Sequence, residues 1–246
     1  MGARVDWPYP RWIAHRGAGR LAPENTLAAF RLGASHGYRA FECDVKLSAD
    51  GVPFLLHDAT LERTSDGTGP AAALDWSHLS RLDAGGWLGR SFAGEPMPSL
   101  EAIARWCVRN GHALDLEIKP SPGRERETGA TIGETAARLF AGAATPPFLT
   151  SFRPDALAAA RETAPDLPRG LLLDALRDGW LDEARSLGCR AVVMHFGLMD
   201  RPVRDRLRAH GLAALVYTVN DPAEVRRQLA LDIDGIVTDA VDRFAP

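Results

Sequence analysis

The sequence predicts an α/β fold, a single (β/α)8 TIM barrel in which parallel strands alternate with helices. Short apolar runs with β-branched residues alternate with longer Ala-, Leu- and Arg-rich stretches of helical period, which is typical of repeated strand–helix units. The length of 246 residues suits one barrel of about 250 residues. Eight parallel strands close into a barrel more readily than they form an open sheet of that width.

The predicted elements form one series along the chain. Strands are expected near 12–15, 40–47, 113–118, 147–151, 169–173, 190–194, 213–219 and 234–238. Helices are expected near 25–37, 99–110, 131–142, 153–164, 178–187, 201–210 and 221–230. Ser99 before one helix and Asp221-Pro222 before another are good helix starts, because a capping side chain or a proline suits the first turn.

One region interrupts this series. Residues 58–98 are rich in Gly, Ser, Thr and Asp, carry Trp76 and Trp87, and follow the strand-like segment 53–56. We interpret them as a module inserted after the second strand, over the C-terminal mouth where barrel active sites are built. The prediction is therefore one domain spanning residues 1–246, with an inserted module at about 58–98.

Composition limits the possible partners. A net charge of -3 and a pI near 6.2 give no general attraction to nucleic acid or to an anionic membrane, so a small-molecule partner is expected. No apolar run approaches the roughly 18 residues of a membrane span, and Met1–Asp6 carries no export or myristoylation signal. Three separated cysteines without CxxC spacing indicate reduced thiols in the cytoplasm. The sequence carries no signal of oligomeric state.

Two strands have one charged face each. Charged residues occupy alternate positions, namely Glu42, Asp44 and Lys46 on one strand and Asp115, Glu117 and Lys119 on the other. For a strand considered alone, the solvent-exposed face of an antiparallel sheet explains this alternation of charged and apolar residues equally well. In a strand–helix series the helices cover the outer side, so the charged face is expected to point into the barrel.

Three of these inward carboxylates predict a metal site. A buried carboxylate requires a cation or hydrogen-bond donors, and Glu42, Asp44 and Glu117 offer three hard oxygen ligands. Such ligands suit one divalent cation, Mg²⁺ or Ca²⁺. Lys46 and Lys119 are the only lysines in the chain and lie on the same faces. Either can bind a phosphate oxygen as a point charge or form a salt bridge to the neighbouring carboxylates.

Two histidines lie at strand ends beside this cluster. His15 and Arg16 end the first strand, and His57 follows the segment 53–56. A lone histidine at such a place is more often a packed residue. Two histidines facing carboxylates instead favour an acid–base pair, because histidine titrates near neutrality. His36, His112 and His210 adjoin glycines at helix ends and are expected to be exposed caps. His195 closes the sixth predicted strand and is a candidate pocket residue.

The order of short motifs resembles the glycerophosphodiester phosphodiesterase family, and its short cytosolic bacterial members in particular. The motifs cover nearly the whole chain: His15-Arg16-Gly17, Pro23-Glu24-Asn25-Thr26, Glu42-x-Asp44, His57-Asp58, Leu61-x-Arg63-Thr64, Gly67-x-Gly69, Pro98-x-Leu100, Glu117-x-Lys119 and Thr238-Asp239. The resemblance implies a barrel with a small inserted module. It also implies hydrolysis of glycerophosphodiesters, such as glycerophosphocholine or glycerophosphoethanolamine, to sn-glycerol 3-phosphate and an alcohol.

The resemblance also implies roles for individual residues. By motif, the metal ligands are Glu42, Asp44 and Glu117, the acid–base pair is His15 and His57, the phosphate contacts are Arg16 and Lys119, and Glu24 lies in a supporting loop. Two positions depart from the pattern. Tyr217 stands where many relatives have Trp, and His195 is not required by the family.

Two other functions fit parts of this pattern. A related barrel phospholipase or lyase would act on intact lipid, but the chain has no obvious membrane-binding segment. A catalytically silent barrel would only bind a phosphorylated metabolite, which the retained histidines and carboxylates argue against. The sequence leaves open the headgroup, the base among the two histidines, and attack by water or by the glycerol 2-hydroxyl.

Overall fold

The computed structural model describes residues 5–244 and Pro246, so the first four residues of the expected signal-free N-terminus lie outside it. Within the described residues one sheet contains nine strands. They are β1 (Trp12–Ala14), β2 (Ala40–Leu47), β3 (Pro53–Leu55), β4 (Ala113–Ile118), β5 (Phe148–Ser151), β6 (Arg169–Leu173), β7 (Ala191–His195), β8 (Ala213–Tyr217) and β9 (Gly235–Thr238). All except β3 pair in parallel, and pairing between β1 and β2 closes the sheet. The predicted barrel is confirmed.

The described helices are α1 (Leu27–Ser35), α2 (Trp76–Leu79), α3 (Leu100–Asn110), α4 (Glu125–Leu139), α5 (Pro154–Thr163), α6 (Trp180–Ser186), α7 (Arg201–Ala209) and α8 (Pro222–Ala230). All except α2, which lies in the region 58–98, alternate with the barrel strands and cover the barrel from outside. Polar caps start several of them, because a side-chain oxygen can accept an N–H that the first turn leaves unpaired. The side chains of Thr26, Ser99, Asp200 and Asp221 do so here.

Helix α4 corrects one predicted boundary. The sequence predicts a helix over 131–142, whereas α4 begins at Glu125 and ends at Leu139. A glycine and several polar residues in its first turns hide the helical period. Gly129 is required by packing, because a Cβ there would lie 2.1 Å from the carbonyl oxygen of Ala156 on α5. Close contact between α4 and α5 therefore stabilises a segment of low helix propensity.

The alternation along β2 and β4 follows the prediction for a barrel. Apolar residues of both strands, such as Phe41 and Leu116, pack in one buried cluster with helix residues including Phe30 and Ile103. The charged residues occupy the opposite face, and Asp44 pairs in register with Glu117. Because the helices cover the apolar face, the charged face points into the barrel.

The N-terminal end of the barrel is filled by aromatic residues. The Trp7 ring meets the Phe148 ring edge-on at 5.1 Å, and the Tyr9 ring lies 5.9 Å from Phe148. Tyr9 and Phe148 belong to a buried cluster with inward residues such as Val193 and Leu215, and the partly buried Trp7 packs against that cluster. The charged face opens to solvent at the opposite, C-terminal end.

The region 58–98 connects β3 to α3 and contains α2 and two short 3-10 turns, Ala71–Ala73 and Arg90–Phe92. A small apolar cluster that includes its Leu61, Leu79 and Met97 packs with Phe54 of β3 and forms the core of this region. Its Glu95 accepts a hydrogen bond from the backbone N–H of Ala28 in the first turn of α1, at 2.9 Å. None of the helices described is both long and apolar enough to cross a bilayer.

Candidate active site

A cavity of about 190 Å³ opens at the C-terminal end of the barrel strands. It is lined by His15, Arg16, Glu42, His57, Asp115, Glu117, Lys119, Thr150, Phe152, Leu172, Val193, Tyr217, Thr218 and Val237. Six of the seven site residues predicted from the sequence therefore line one cavity. The seventh, Asp44, is fully buried beside them.

Three carboxylates meet in this cavity. Glu42, Asp44 and Glu117 each offer one oxygen, and these oxygens lie within 4.8 Å of one another. Glu42 Oε1 and Asp44 Oδ1 are buried and receive no hydrogen bond from residues 5–244. Buried oxygen atoms without donors are costly unless a cation balances them. The cluster thus fits a divalent cation with oxygen ligands.

The three carboxyl groups differ in ionisation. Burial and the neighbouring Asp44 and Glu117 charges raise the pKa of Glu42 well above its usual value. Burial and the Asp44 charge likewise raise the pKa of Glu117 to about 7. Burial also opposes ionisation of Asp44, but the charges of Arg16 and Lys119 outweigh it and lower the Asp44 pKa to about 2. Asp44 is therefore charged at neutral pH, and added positive charge favours ionisation of Glu42 and Glu117 as well.

Asp44 is held in place by Asn25. The Asn25 amide donates to Asp44 Oδ2 at 2.8 Å, and the Asp44 backbone N–H donates to Asn25 Oδ1 at 3.1 Å. Asn25 has a left-handed backbone with φ of 62°, a conformation that asparagine tolerates better than most residues. No role for Asn25 was predicted from the sequence, although it lies in a short motif.

His15 is oriented from the far end of the chain. Its Nδ1 lies 2.6 Å from Asp239 Oδ1, and its Nε2 lies 3.8 Å from Glu42 Oε2. Asn220 holds Asp239 by donating to Oδ2 at 2.8 Å and accepting from the Asp239 N–H. A carboxylate on Nδ1 keeps the ring proton there and leaves Nε2 as the reactive nitrogen. Gly19 permits this approach, since a Cβ at Gly19 would lie 2.1 Å from the Asp239 carbonyl oxygen.

His57 is oriented by its neighbour in sequence. Its Nδ1 lies 2.7 Å from Asp58 Oδ1, which again leaves Nε2 free. Burial lowers the pKa of His57, against the opposing charge of Asp44. Both predicted histidines therefore line the cavity with a carboxylate on Nδ1, the arrangement expected of an acid–base pair.

Two cations lie beside the carboxylates. Arg16, with φ of 51°, donates from Nη1 to Glu24 Oε1 at 2.8 Å, and its Nε lies 3.1 Å from Asp44 Oδ2. Lys119 Nζ donates to Glu117 Oε1 at 3.0 Å and lies 3.5 Å from Asp44 Oδ1. Both cations form ion pairs and also line the cavity, so pairing does not remove them from the reach of a ligand.

Of the remaining candidates, Lys46 and His195 lie outside the cavity and Tyr217 lines it. Lys46 is buried and donates to the Lys119 carbonyl at 3.4 Å, and it does not line the cavity. His195 is exposed, does not line the cavity, and accepts from the Gly197 N–H through Nδ1. Tyr217 does line it, and its hydroxyl donates to the Leu173 carbonyl at 3.0 Å.

The expectation that three histidines are exposed caps holds for His36 and His210 and is wrong for His112. His112 is buried, with its ring 4.8 Å from Trp106 and 5.3 Å from Phe41. Aromatic neighbours brought together by β2 and α3 cover it. A position after a helix-ending glycine does not reveal such packing.

Three further site residues were given no role from the sequence. Asp239 and Asn220 follow the last two barrel strands, where polar residues are often functional, so their position was a usable signal. Asp115 lies on the charged face of β4, accepts from Thr150 Oγ1 at 2.7 Å, and has its pKa raised to about 8, chiefly by burial.

The chain is similar to several known proteins. The sequence matches the Glycerophosphoryl diester phosphodiesterase family over residues 15–243. It is 30% identical over 234 residues to a glycerophosphodiester phosphodiesterase of Caldanaerobacter subterraneus subsp. tengcongensis, covering 92% of this chain and 93% of that one. A phosphodiesterase of Oleispira antarctica, solved in complex with the product sn-glycerol-3-phosphate, has a TM-score of 0.87 at 32% identity, over 94% of this chain and 93% of that one. The glycerophosphodiester phosphodiesterase of Agrobacterium tumefaciens has a TM-score of 0.78 at 31% identity, over 96% and 98%.

Proposed function

Since the chain belongs to the glycerophosphoryl diester phosphodiesterase family, we propose that it hydrolyses glycerophosphodiesters to sn-glycerol 3-phosphate and an alcohol. Glycerophosphocholine and glycerophosphoethanolamine are the expected kind of substrate. The main support for this proposal is one cavity in which two oriented histidines, two cations and a carboxylate cluster meet. The related Oleispira antarctica structure contains sn-glycerol-3-phosphate, the product expected of this reaction.

We assign the carboxylate cluster to one divalent cation, Mg²⁺ or Ca²⁺. Glu42, Asp44 and Glu117 would hold it, since their oxygens converge and two of them are buried without a hydrogen bond from the described part of the chain. When bound, such an ion supplies Lewis-acid neutralisation of a phosphoryl oxygen. Asp44 is ionised without it, because the pKa of Asp44 is about 2.

Arg16 and Lys119 are proposed to bind the remaining non-bridging phosphate oxygens. A phosphodiester carries a negative charge that repels a nucleophile, and positioned cations reduce this barrier. The Arg16 guanidinium can donate to two oxygens at once, whereas Lys119 offers a compact charge. Their ion pairs with Glu24 and Glu117 hold both cations ready at the cavity wall.

The two histidines are proposed to carry the proton transfers. One Nε2 takes the proton of the attacking oxygen as its bond to phosphorus forms. The other Nε2 gives a proton to the alcohol oxygen as its bond to phosphorus breaks. The carboxylates on Nδ1 of His15 and His57 stabilise whichever ring is positively charged at each stage.

We further propose that the substrate is met free in the cytoplasm. A net charge of -3 gives no general attraction to nucleic acid or to an anionic bilayer. Residues 1–246 are proposed to form one domain with the 58–98 region as its inserted module.

The test is release of glycerol 3-phosphate from glycerophosphocholine, with and without chelator, beside intact phosphatidylcholine. We expect release from the first substrate, loss of release after chelation, and recovery with added Mg²⁺ or Ca²⁺. Equal turnover of the intact lipid would indicate a phospholipase. Binding of glycerol 3-phosphate without turnover of either substrate would indicate a silent barrel.

A further inference from the structure

Arg63, in the 58–98 region, joins two carboxylates that lie behind the cavity. Its Nε and Nη2 donate to the two oxygens of Asp58 at 2.6 and 3.0 Å. Its Nη1 and Nη2 donate to the two oxygens of Glu24, both at 2.8 Å. One guanidinium thus makes four hydrogen bonds to two carboxylates, which the planar fork of arginine allows and the single ammonium of lysine does not.

Each of these carboxylates holds a residue that lines the cavity. Glu24 Oε1 accepts from Arg16 Nη1 at 2.8 Å, and Asp58 Oδ1 lies 2.7 Å from His57 Nδ1. One carboxylate therefore separates Arg63 from the proposed phosphate-binding cation Arg16, and another separates it from His57 of the proposed acid–base pair. Arg63 does not line the cavity itself.

The charges of this network support the same assignment. Burial opposes ionisation of Glu24, but hydrogen bonds from Arg63 and the charge of Arg16 outweigh it and lower the Glu24 pKa. Hydrogen bonds from Arg63 are also the main cause of the lowered pKa of Asp58. Arg63 thus keeps both carboxylates charged and in place between it and the site residues.

We propose that Arg63 is a positioning residue that orients Arg16 for phosphate binding and His57 for proton transfer from within the 58–98 region. This inference rests on the proposed function for the reaction it serves. It follows that Arg63 affects KM and kcat together. Each carboxylate affects only one of these two constants: Glu24 affects KM through substrate binding, and Asp58 affects kcat through proton transfer.

The experiment compares Arg63→Ala and Arg63→Lys with Arg81→Ala, an exposed arginine of the same region, as the matched control. Loss of a residue that orients a catalytic group typically costs about 10–100-fold in activity. We expect Arg63→Ala to lower kcat by roughly that factor and to raise KM for glycerophosphocholine several-fold. Arg63→Lys should lie between it and the wild type, and Arg81→Ala should match the wild type.

Chemical rescue separates positioning from a general effect on folding. The Arg63 side chain is 44% exposed, so a guanidinium ion from solvent can reach the space that this side chain leaves in Arg63→Ala. Added guanidinium at millimolar concentration should raise kcat of Arg63→Ala several-fold and leave wild type and Arg81→Ala unchanged, with NaCl of equal ionic strength as the blank. Equal kcat of Arg63→Ala with and without guanidinium contradicts the positioning role.

Two single-carboxylate variants test the division of labour. Glu24→Gln should mainly raise KM and weaken binding of sn-glycerol 3-phosphate in calorimetry, whereas Asp58→Asn should mainly lower kcat. Wild-type kcat and KM in Arg63→Lys would overturn the inference, including where Arg63→Ala fails to fold. If wild-type protein itself releases no glycerol 3-phosphate, the proposed function fails. The inference is then judged by calorimetry alone, where unchanged glycerol 3-phosphate binding in Arg63→Lys overturns it.

Discussion

The two sides of the barrel interior are built from opposite kinds of residue. On β2 and β4 the cavity is lined by acidic groups, including Glu42 and Glu117. On β6, β7 and β9 it is lined by Leu172, Val193 and Val237. The acidic side gathers carboxyl groups whose charges would destabilise the fold if no cation or proton balanced them, whereas the apolar side buries hydrocarbon and stabilises the fold.

The contrast assigns chemistry and stability to different strands. An apolar wall excludes water and strengthens the electrostatic interactions of the charged wall facing it. Substitutions on the charged side should therefore reduce activity more than stability. Those on the apolar side should reduce stability more than activity.

The largest effect is expected at the two histidines beside the acidic side. His15→Ala and His57→Ala should each reduce turnover about 10²–10⁴-fold, since general acid–base catalysis contributes that much. The fold should remain intact, because neither histidine belongs to the buried core. Circular dichroism and turnover measured on the same samples check this. Near-normal activity of either variant removes that histidine from the mechanism.

Lys119 gives the next largest effect and tests whether its charge alone is sufficient. Lys119→Arg keeps the charge but places a wide planar group between Glu117 and Asp44, where Lys119 Nζ now lies 3.0 and 3.5 Å from their oxygens. We expect kcat to fall about 10-fold, an order of magnitude in keeping with a loss of oriented electrostatic stabilisation. Lys119→Met should be worse, and thermal stability should change little. Wild-type kcat/KM in Lys119→Arg would reduce Lys119 to a generic counter-charge.

Leu172→Ala tests the apolar side. Leu172 is 7% exposed and packs with Val193 and Phe148, so truncation should cost about 2–4 kcal/mol of unfolding free energy. We expect kcat to stay within a few-fold of wild type, as judged by urea unfolding and turnover on the same preparation. Loss of turnover as large as that of His57→Ala, without loss of stability, would break the comparison between the two sides.

The smallest effect concerns pH and the metal. The raised pKa values of Glu42, Glu117 and Asp115 mean that the metal-free fold favours their protonated forms. Their contribution to stability is complete below about pH 4, the unfolded value, and is lost as pH rises through about 7 and 8. A bound cation would replace the protons of Glu42 and Glu117, so the stability that these two residues lose as pH rises would be restored.

The measured quantity is the difference in stability with Mg²⁺ and with chelator. We expect it to grow by about 1–3 kcal/mol between pH 5 and pH 8. Burial lowers the pKa values of His57 and His112, so both residues make the fold more stable as pH rises over the same range. This gain is expected to be similar with Mg²⁺ and with chelator, and it therefore largely cancels in the difference. If the difference in stability between the Mg²⁺ and chelator samples shrank with rising pH, the cation would not bind at the acidic side.

Much of this could be predicted from sequence because the pattern is local. Alternation along β2 and β4 revealed the inward face, and His15 and His57 lie at strand ends, so the barrel and the place of the cavity followed. A solvent-exposed face of an antiparallel sheet explained the same alternation only while each strand was considered by itself. The helices between the strands decided it.

The unpredicted parts depend on contacts between distant segments. Asp239 orients His15 across 224 positions in sequence, and Arg63 reaches Glu24 across 39, which no local period encodes. The start of α4 was missed because its packing against α5 outweighs the low helix propensity of Gly129. His112 was misjudged for the same reason, since its burial by Trp106 and Phe41 is a tertiary property.

The central claim is that the acidic side holds one divalent cation on which catalysis depends. It is tested most directly by titrating metal-free wild type and Glu42→Gln with Mg²⁺ and Ca²⁺ in a calorimeter, and by assaying glycerol 3-phosphate release in the same samples. The account predicts about one ion per wild-type chain, activity that rises with occupancy, and binding at least about 10-fold weaker in Glu42→Gln, as expected for loss of one charged ligand. Full activity of the wild type after exhaustive chelation, or equal ion binding by Glu42→Gln, would contradict it.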